Sequence, residues 1–107
     1  MTISIQDFSE IDLRVAEIKA VEEHPNADKL LVLKIDAGDG EKQLVAGIKN
    51  HYSAEELIGR KIIVVNNLAP AVLRGVESQG MLLAARDDDK VVLLTTEKEV
   101  APGSRVQ

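Results

Sequence analysis

Cysteine is absent from this 107-residue sequence, which excludes disulfides, thiolate metal sites and thiol nucleophiles at the outset. Tryptophan is absent too, and Phe8 and Tyr52 are the only aromatic residues. The core must therefore be aliphatic. Proteins that bind single strands without sequence preference stack bases on aromatic rings, at about 1–3 kcal/mol each, and this chain has almost none to offer. No run of about 18 apolar residues occurs, so no helix spans a membrane, and the first residues lack the basic start and long apolar centre of a secretory signal. A cytoplasmic protein with no membrane partner is the expectation. A positive charge excess is missing as well: 13 basic residues face 18 acidic ones, a net charge of −5, which taken whole argues against a nucleic-acid partner.

The distribution of charge reads differently. Residues 1–40 hold four basic and nine acidic side chains, and residues 87–107 hold three and five. Residues 41–86 reverse the balance, with six basic side chains (Lys42, Lys49, Arg60, Lys61, Arg74, Arg86) against four acidic. A phosphate-facing patch would draw on this middle segment. An uneven partition of ordinary surface charge is the other reading.

Signals for catalysis are equally sparse. His24 and His51 fall in different turns, and no H-E-x-x-H pair, G-x-S-x-G elbow or phosphate-cradling G-x-x-x-x-G-K-[ST] loop occurs. Asp87-Asp88-Asp89 reads as a solvated turn. No catalytic residue, metal site or cofactor is expected, and the chain reads as a non-enzyme.

What is present is β-patterned. Ser4-Ile5-Gln6-Asp7 has the form of a weak capping box, opening a short helical turn that would carry Phe8 inward. Leu13 and Val15 alternate, then Ala16 and Ile18 slip by one, a step that suggests a bulge in a bent strand. His24-Pro25-Asn26-Ala27-Asp28 is a turn. Leu31, Leu33 and Ile35 mark a second strand, Gly38-Asp39-Gly40 a hairpin, and residues 42–48 a third strand. Ser53-Ala54-Glu55-Glu56 starts a short helix that stops at Gly59. Lys61–Val65 reads as a fourth strand, residues 75–80 as a polar loop and residues 81–85 as a fifth strand.

Three strands, a short helix and two more strands is the order of an OB-fold. The expected class is thus all-β: a five-stranded OB barrel with its helix between the third and fourth strands. A single domain is expected, with the barrel over residues 8–86 and a C-terminal β extension over residues 87–107. The unbroken apolar run at 91–94 asks for cover on both faces. A partner subunit would supply it, or the extension folds back over the barrel's open end.

Residues 66–85 read NNLAPAVLRGVESQGMLLAA. This segment resembles the signature of the tRNA-binding domain family found at the C-terminus of many methionyl-tRNA synthetases, as their separate β subunit, and in free-standing tRNA-binding proteins. Asp12-Leu13-Arg14-Val15, His24-Pro25-Asn26-Ala27-Asp28-Lys29-Leu30 and Val45-Ala46-Gly47-Ile48 agree with the same family in order and spacing. The resemblance implies binding of tRNA by its folded shape and a homodimer built largely from the C-terminal extension. It also implies a catalytic methionyl-tRNA synthetase chain as a possible partner. The short chain looks like the free-standing or β-subunit form. One branch of the family implies instead a chaperone-like, polypeptide-binding role, and a dimerisation subunit is a further alternative.

Shape-directed RNA binding needs donors for phosphates and 2′-hydroxyls held on a rigid frame. Arg74, beside Gly75, has the planar fork suited to phosphate oxygens. Ser78 and Gln79 offer small neutral donors, as do Asn66 and Asn67, while Met81 offers an apolar surface for a splayed base. Lys49 and Lys61 add attraction, and Arg14 and Lys29 lie within the matching motifs. Asp12, Asn26 and Asp28 read as turn and cap residues, and His24-Pro25 as architectural. Relatives usually carry lysine in place of Ala69, Val72 or both. This chain has neither, which implies weaker binding or help from a partner.

Overall fold

The computed structural model describes residues 1–107. Ser4 caps a short helix, α1 (Ile5–Ser9), by accepting a hydrogen bond from the Asp7 amide. Phe8 is only half-buried and stays outside the core, because a helix this short lies on the barrel instead of entering it. Four long strands follow: β1 (Leu13–Glu23), β2 (Leu31–Asp36), β3 (Glu41–Ala46) and β4 (Lys61–Val65). Between the last two sits α2 (Ala54–Leu57), held by a reciprocal capping box of Ser53 and Glu56. The sheet runs β3-β2-β1-β4-β7, where β7 is Met81–Leu82, and all its pairings are antiparallel. With Gln79 bonded to β3, as described below, this is a nearly closed five-stranded OB barrel. No helix is long and apolar enough to cross a membrane.

A single strand serves two neighbours because β1 bends. Its first half pairs with β4 over Leu13–Glu17, and its second half pairs with β2 from Glu17 onward. The register shift lies between Ile18 and Ala20. It does not lie at the Val15–Ala16 step, through which the β1–β4 ladder runs unbroken. That step reads as a slip because both faces of the strand are covered there: Ala16 and Ile18 belong to the core, whereas Leu13 and Val15 are buried on the opposite face. The core itself is aliphatic. Ile18, Leu33, Ile35, Leu44, Ile62 and Val64 fill the barrel, and Leu57 of α2 joins them fully buried. Each such side chain is worth about 1.5–3 kcal/mol in burial.

Beyond β4 the segment departs from the sequence expectation. Residues 75–80 do not form a loop. Val76–Ser78 is a strand, β6, paired with β5 (Ala71–Leu73) in a two-residue hairpin turned at Arg74 and Gly75. Nor do residues 81–85 make one strand. β7 stops at Leu82, and Ala84–Asp87 (β8) leaves the barrel to pair with Lys90–Leu93 (β9) around a turn at Asp88 and Asp89. Leu83 joins the two sheets, its amide donating to Ile63 and its carbonyl accepting from Leu94. Within the apolar run, Leu93 is buried and Val91 half-buried against the barrel core, while Val92 and Leu94 are exposed. The extension thus folds back on its own barrel with one face and leaves the other open. A last strand, β10 (Arg105–Val106), pairs with Leu13 and Arg14.

Candidate nucleic-acid interface

In the β5–β6 hairpin, residues 71–75 are all exposed. Its turn needs left-handed backbone at both central positions, and Arg74 (φ 53°) and Gly75 (φ 88°) supply it. Glycine does so freely; an arginine needs holding. The hold comes from the His24–Asp28 turn, 48 residues earlier in the chain for the Asn26–Arg74 bond. The buried His24 ring donates from Nε2 to the Leu73 carbonyl at 2.8 Å, and Asn26 donates from Nδ2 to the Arg74 carbonyl at 3.1 Å. Nδ1 of His24 accepts from the Asn26 amide at 2.9 Å, which fixes the ring as the tautomer protonated on Nε2. Lys29 directly follows that turn. Arg74 and Lys29 therefore line one open cleft of about 490 Å³ with Asn26, Ala27, Asp28 and Leu30. Neither cation forms an ion pair within the chain.

The base of the hairpin is fastened to β3. Gln79 and Gln43 bond twice: the Gln79 amide donates to the Gln43 carbonyl at 2.8 Å, and the Gln43 amide donates to Gln79 Oε1 at 2.9 Å. The Gln43 side chain in turn donates to the Glu77 carbonyl at 2.8 Å. Ser78 is 4% exposed, and its hydroxyl accepts from the Val45 amide and donates to the Gly80 carbonyl. Its hydrogen-bonding capacity is spent inside the fold, unlike the free donor expected from the sequence. Gln79 keeps its side-chain Nε2 unpaired at the exposed surface, and Met81 is exposed on β7.

The other expected residues are committed or elsewhere. Asn66 accepts from Lys42 Nζ at 2.7 Å and donates to Asp39 at 3.2 Å. Asn67 accepts from the Asp12 amide and donates to the Glu10 carbonyl, tying the N-terminal segment to the end of β4. Both amides thus serve as ties. Lys49 lies next to the cleft, its amide bonded to the Lys29 carbonyl, but its ammonium pairs with Glu23. Lys61 pairs with Glu99 at 3.1 Å and Glu17 at 3.8 Å, and lines a separate polar cleft with Arg60 and Lys98. Arg14 pairs with Asp12 at 2.6 Å and reaches the Gly103 carbonyl. These partnerships are visible in the carboxylates' acidity. The hydrogen bond from Arg14 holds Asp12 below the usual carboxylate range, that from Lys49 does the same for Glu23, and that from Asn66, seconded by Lys42, for Asp39. Arg74 and Lys29 differ from Arg14, Lys49 and Lys61 in having no carboxylate to give up before meeting a phosphate.

Gln43, which fastens the base of the hairpin, is the residue of this candidate site that the sequence does not announce. Its bonds to Gln79 and Glu77 span more than 30 residues and leave no local signal.

Fold and interface together define a small OB-fold module with a basic cleft at the tip of a tethered hairpin. Residues 13–105 match the family described as "Putative tRNA binding domain". The methionine–tRNA ligase of Pyrococcus furiosus is 54% identical over 105 residues, which cover 98% of this chain and 14% of that enzyme. The crystal structure of a MetRS-related protein from Pyrococcus horikoshii superimposes with a TM-score of 0.93 at 38% identity, covering 100% of this chain and 99% of that one. A CsaA chaperone protein from Picrophilus torridus gives a TM-score of 0.91 at 39% identity, over 99% and 100% of the two chains. The chain belongs to the tRNA-binding domain family.

Proposed function

We propose that this chain binds tRNA by its folded shape, as a binding module with no reaction of its own. The observation that carries the reading is the pairing of Arg74 and Lys29, two cations without intramolecular partners, in one cleft on a hairpin tied at tip and base. Each receives a phosphate, and Gln79 donates its free amide to a 2′-hydroxyl or base edge. Met81 lies against an unstacked base, and Lys49 adds attraction once Glu23 is displaced, at little cost because solvent screens so exposed an ion pair. Similarity to methionine–tRNA ligases supports a catalytic synthetase chain as partner. Arg74→Ala and Lys29→Ala should each weaken binding of folded tRNA several-fold and flatten its salt dependence by roughly 0.7–0.9 for each phosphate no longer neutralised. Unchanged titration curves for both variants would remove the cleft from the interface.

The homodimer is part of the same proposal, with a second copy covering the exposed Val92 and Leu94 of the C-terminal hairpin. Sedimentation at micromolar concentration should give twice the chain mass; a monomer there would eliminate the dimer. A polypeptide-binding role is the second reading. It is favoured by the likeness to CsaA and by exposed Leu68, before the hairpin, and Val72, on it.

A further inference from the structure

We infer that Asn26 is a positioning residue for RNA binding: its side-chain amide sets the left-handed turn that presents Arg74 beside Lys29. The inference rests on the cleft reading above. Strand pairing closes this two-residue turn from within, but an arginine at its first left-handed position is strained unless something outside the hairpin holds it. Here two consecutive carbonyls of the tip, Leu73 and Arg74, are captured by two residues of one turn, His24 and Asn26. His24 is buried, and its ring also orients the Asn26 backbone through Nδ1, so it serves the turn as much as the tip. Asn26 is exposed, and its side chain has one bond, to the Arg74 carbonyl. That bond holds Arg74 at φ 53°, a conformation an arginine does not favour unaided. Arg74 and Lys29 belong to different segments, and the bond between Asn26 and Arg74 brings those segments together at the cleft.

Asn26 carries no charge, and this makes its role separable from direct contact. A neutral side chain that touches RNA contributes affinity without releasing counterions, so its loss leaves the salt dependence unchanged. Loss of a neutral side chain that aims an arginine at a phosphate lowers the salt dependence as if the arginine itself had gone.

The experiment titrates folded tRNA at several salt concentrations with the full chain and three variants: Asn26→Ala, Arg74→Ala and the double substitution. Asn26→Ala is expected to weaken binding several-fold, by no more than Arg74→Ala does, and to lower the slope of log affinity against log salt by nearly as much as Arg74→Ala, by roughly 0.7. The double variant is expected to bind no more weakly than Arg74→Ala alone. Asn26→Ser, which keeps a turn-forming residue too short to reach the carbonyl, should behave as Asn26→Ala does, and covers the case in which alanine perturbs the turn. A normal slope in both Asn26 variants, or a loss additive to that of Arg74→Ala, would overturn the positioning role while leaving the cleft intact. If Arg74→Ala itself changes neither affinity nor slope, the cleft reading falls and the inference with it.

Discussion

Gly103→Ala should destabilise the protein by about 3 kcal/mol or more in urea unfolding, a large fraction of the total stability of a domain this size. The reason is a backbone-to-backbone contact between the loop after β2 and the approach to β10. Gly103 and Gly38 both lie at φ +90°, in the left-handed region, and they face each other. A Cβ on Gly103 would stand 2.8 Å from the Gly38 Cα and 3.1 Å from the Ala37 carbonyl; one on Gly38 would stand 2.5 Å from the Gly103 Cα. No flexible side chain is there to move aside. The left-handed conformation alone costs about 1–3 kcal/mol for alanine, and the collision adds to it.

Relief would come only by undocking the C-terminal segment. That would forfeit the hydrogen bonds between Val15 and residues 103 and 104 and the pairing of β10 with Leu13 and Arg14. Gly40→Ala is the internal control. Gly40 is also left-handed, at φ +117°, but a Cβ there meets open space, so only the backbone cost of about 1–3 kcal/mol applies. If Gly103→Ala costs no more than Gly40→Ala, the close approach of the two glycines does not hold the C-terminal segment as described.

The barrel was legible in the sequence where local chemistry and burial agree. Leu31, Leu33 and Ile35 alternate into the core, and Ser53 and Glu56 form the expected capping box before Leu57. The fourth strand runs over the expected residues. Legibility failed where distant partners decide the local structure. Ala71–Leu73 is exposed along its whole length, so no alternation announces a strand, and its partner Val76–Ser78 is only three residues long. Their turn depends on an arginine in a conformation normally left to glycine or asparagine, held from the far side of the chain by His24 and Asn26.

The same limit governs the interface. Ser78 reads as a solvated donor beside glycine, yet the Val45 amide, 33 residues away, consumes its hydroxyl. Asn67 likewise spends both ends of its amide on Asp12 and Glu10, at separations of 55 and 57 residues. Arg74 was readable from its motif as a candidate contact; its convergence with Lys29 was not, because only the folded turn brings the two segments together. Ala69 and Val72, the positions at which the family resemblance leads one to expect lysine, are both exposed. Lysines there would face solvent and be free to contact phosphate. Their absence places more of the proposed binding on the Arg74–Lys29 cleft.

A competition between two RNAs of equal length tests recognition of folded tRNA by shape most directly. Equal length gives nearly equal phosphate counts, so nonspecific attraction and its salt dependence are matched. What differs is whether phosphates and 2′-hydroxyls are held at fixed spacings. A rigid cleft gains from such preorganisation, whereas an unstructured strand must be ordered at an entropic cost. The cleft is small and the chain carries a net charge of −5, so diffuse attraction is weak and geometry must supply the preference. Titrated at the same salt concentration, folded tRNA is expected to bind at least about tenfold more tightly than the unstructured RNA, a difference of about 1.4 kcal/mol. Equal, weak binding of both RNAs at low salt would contradict the account.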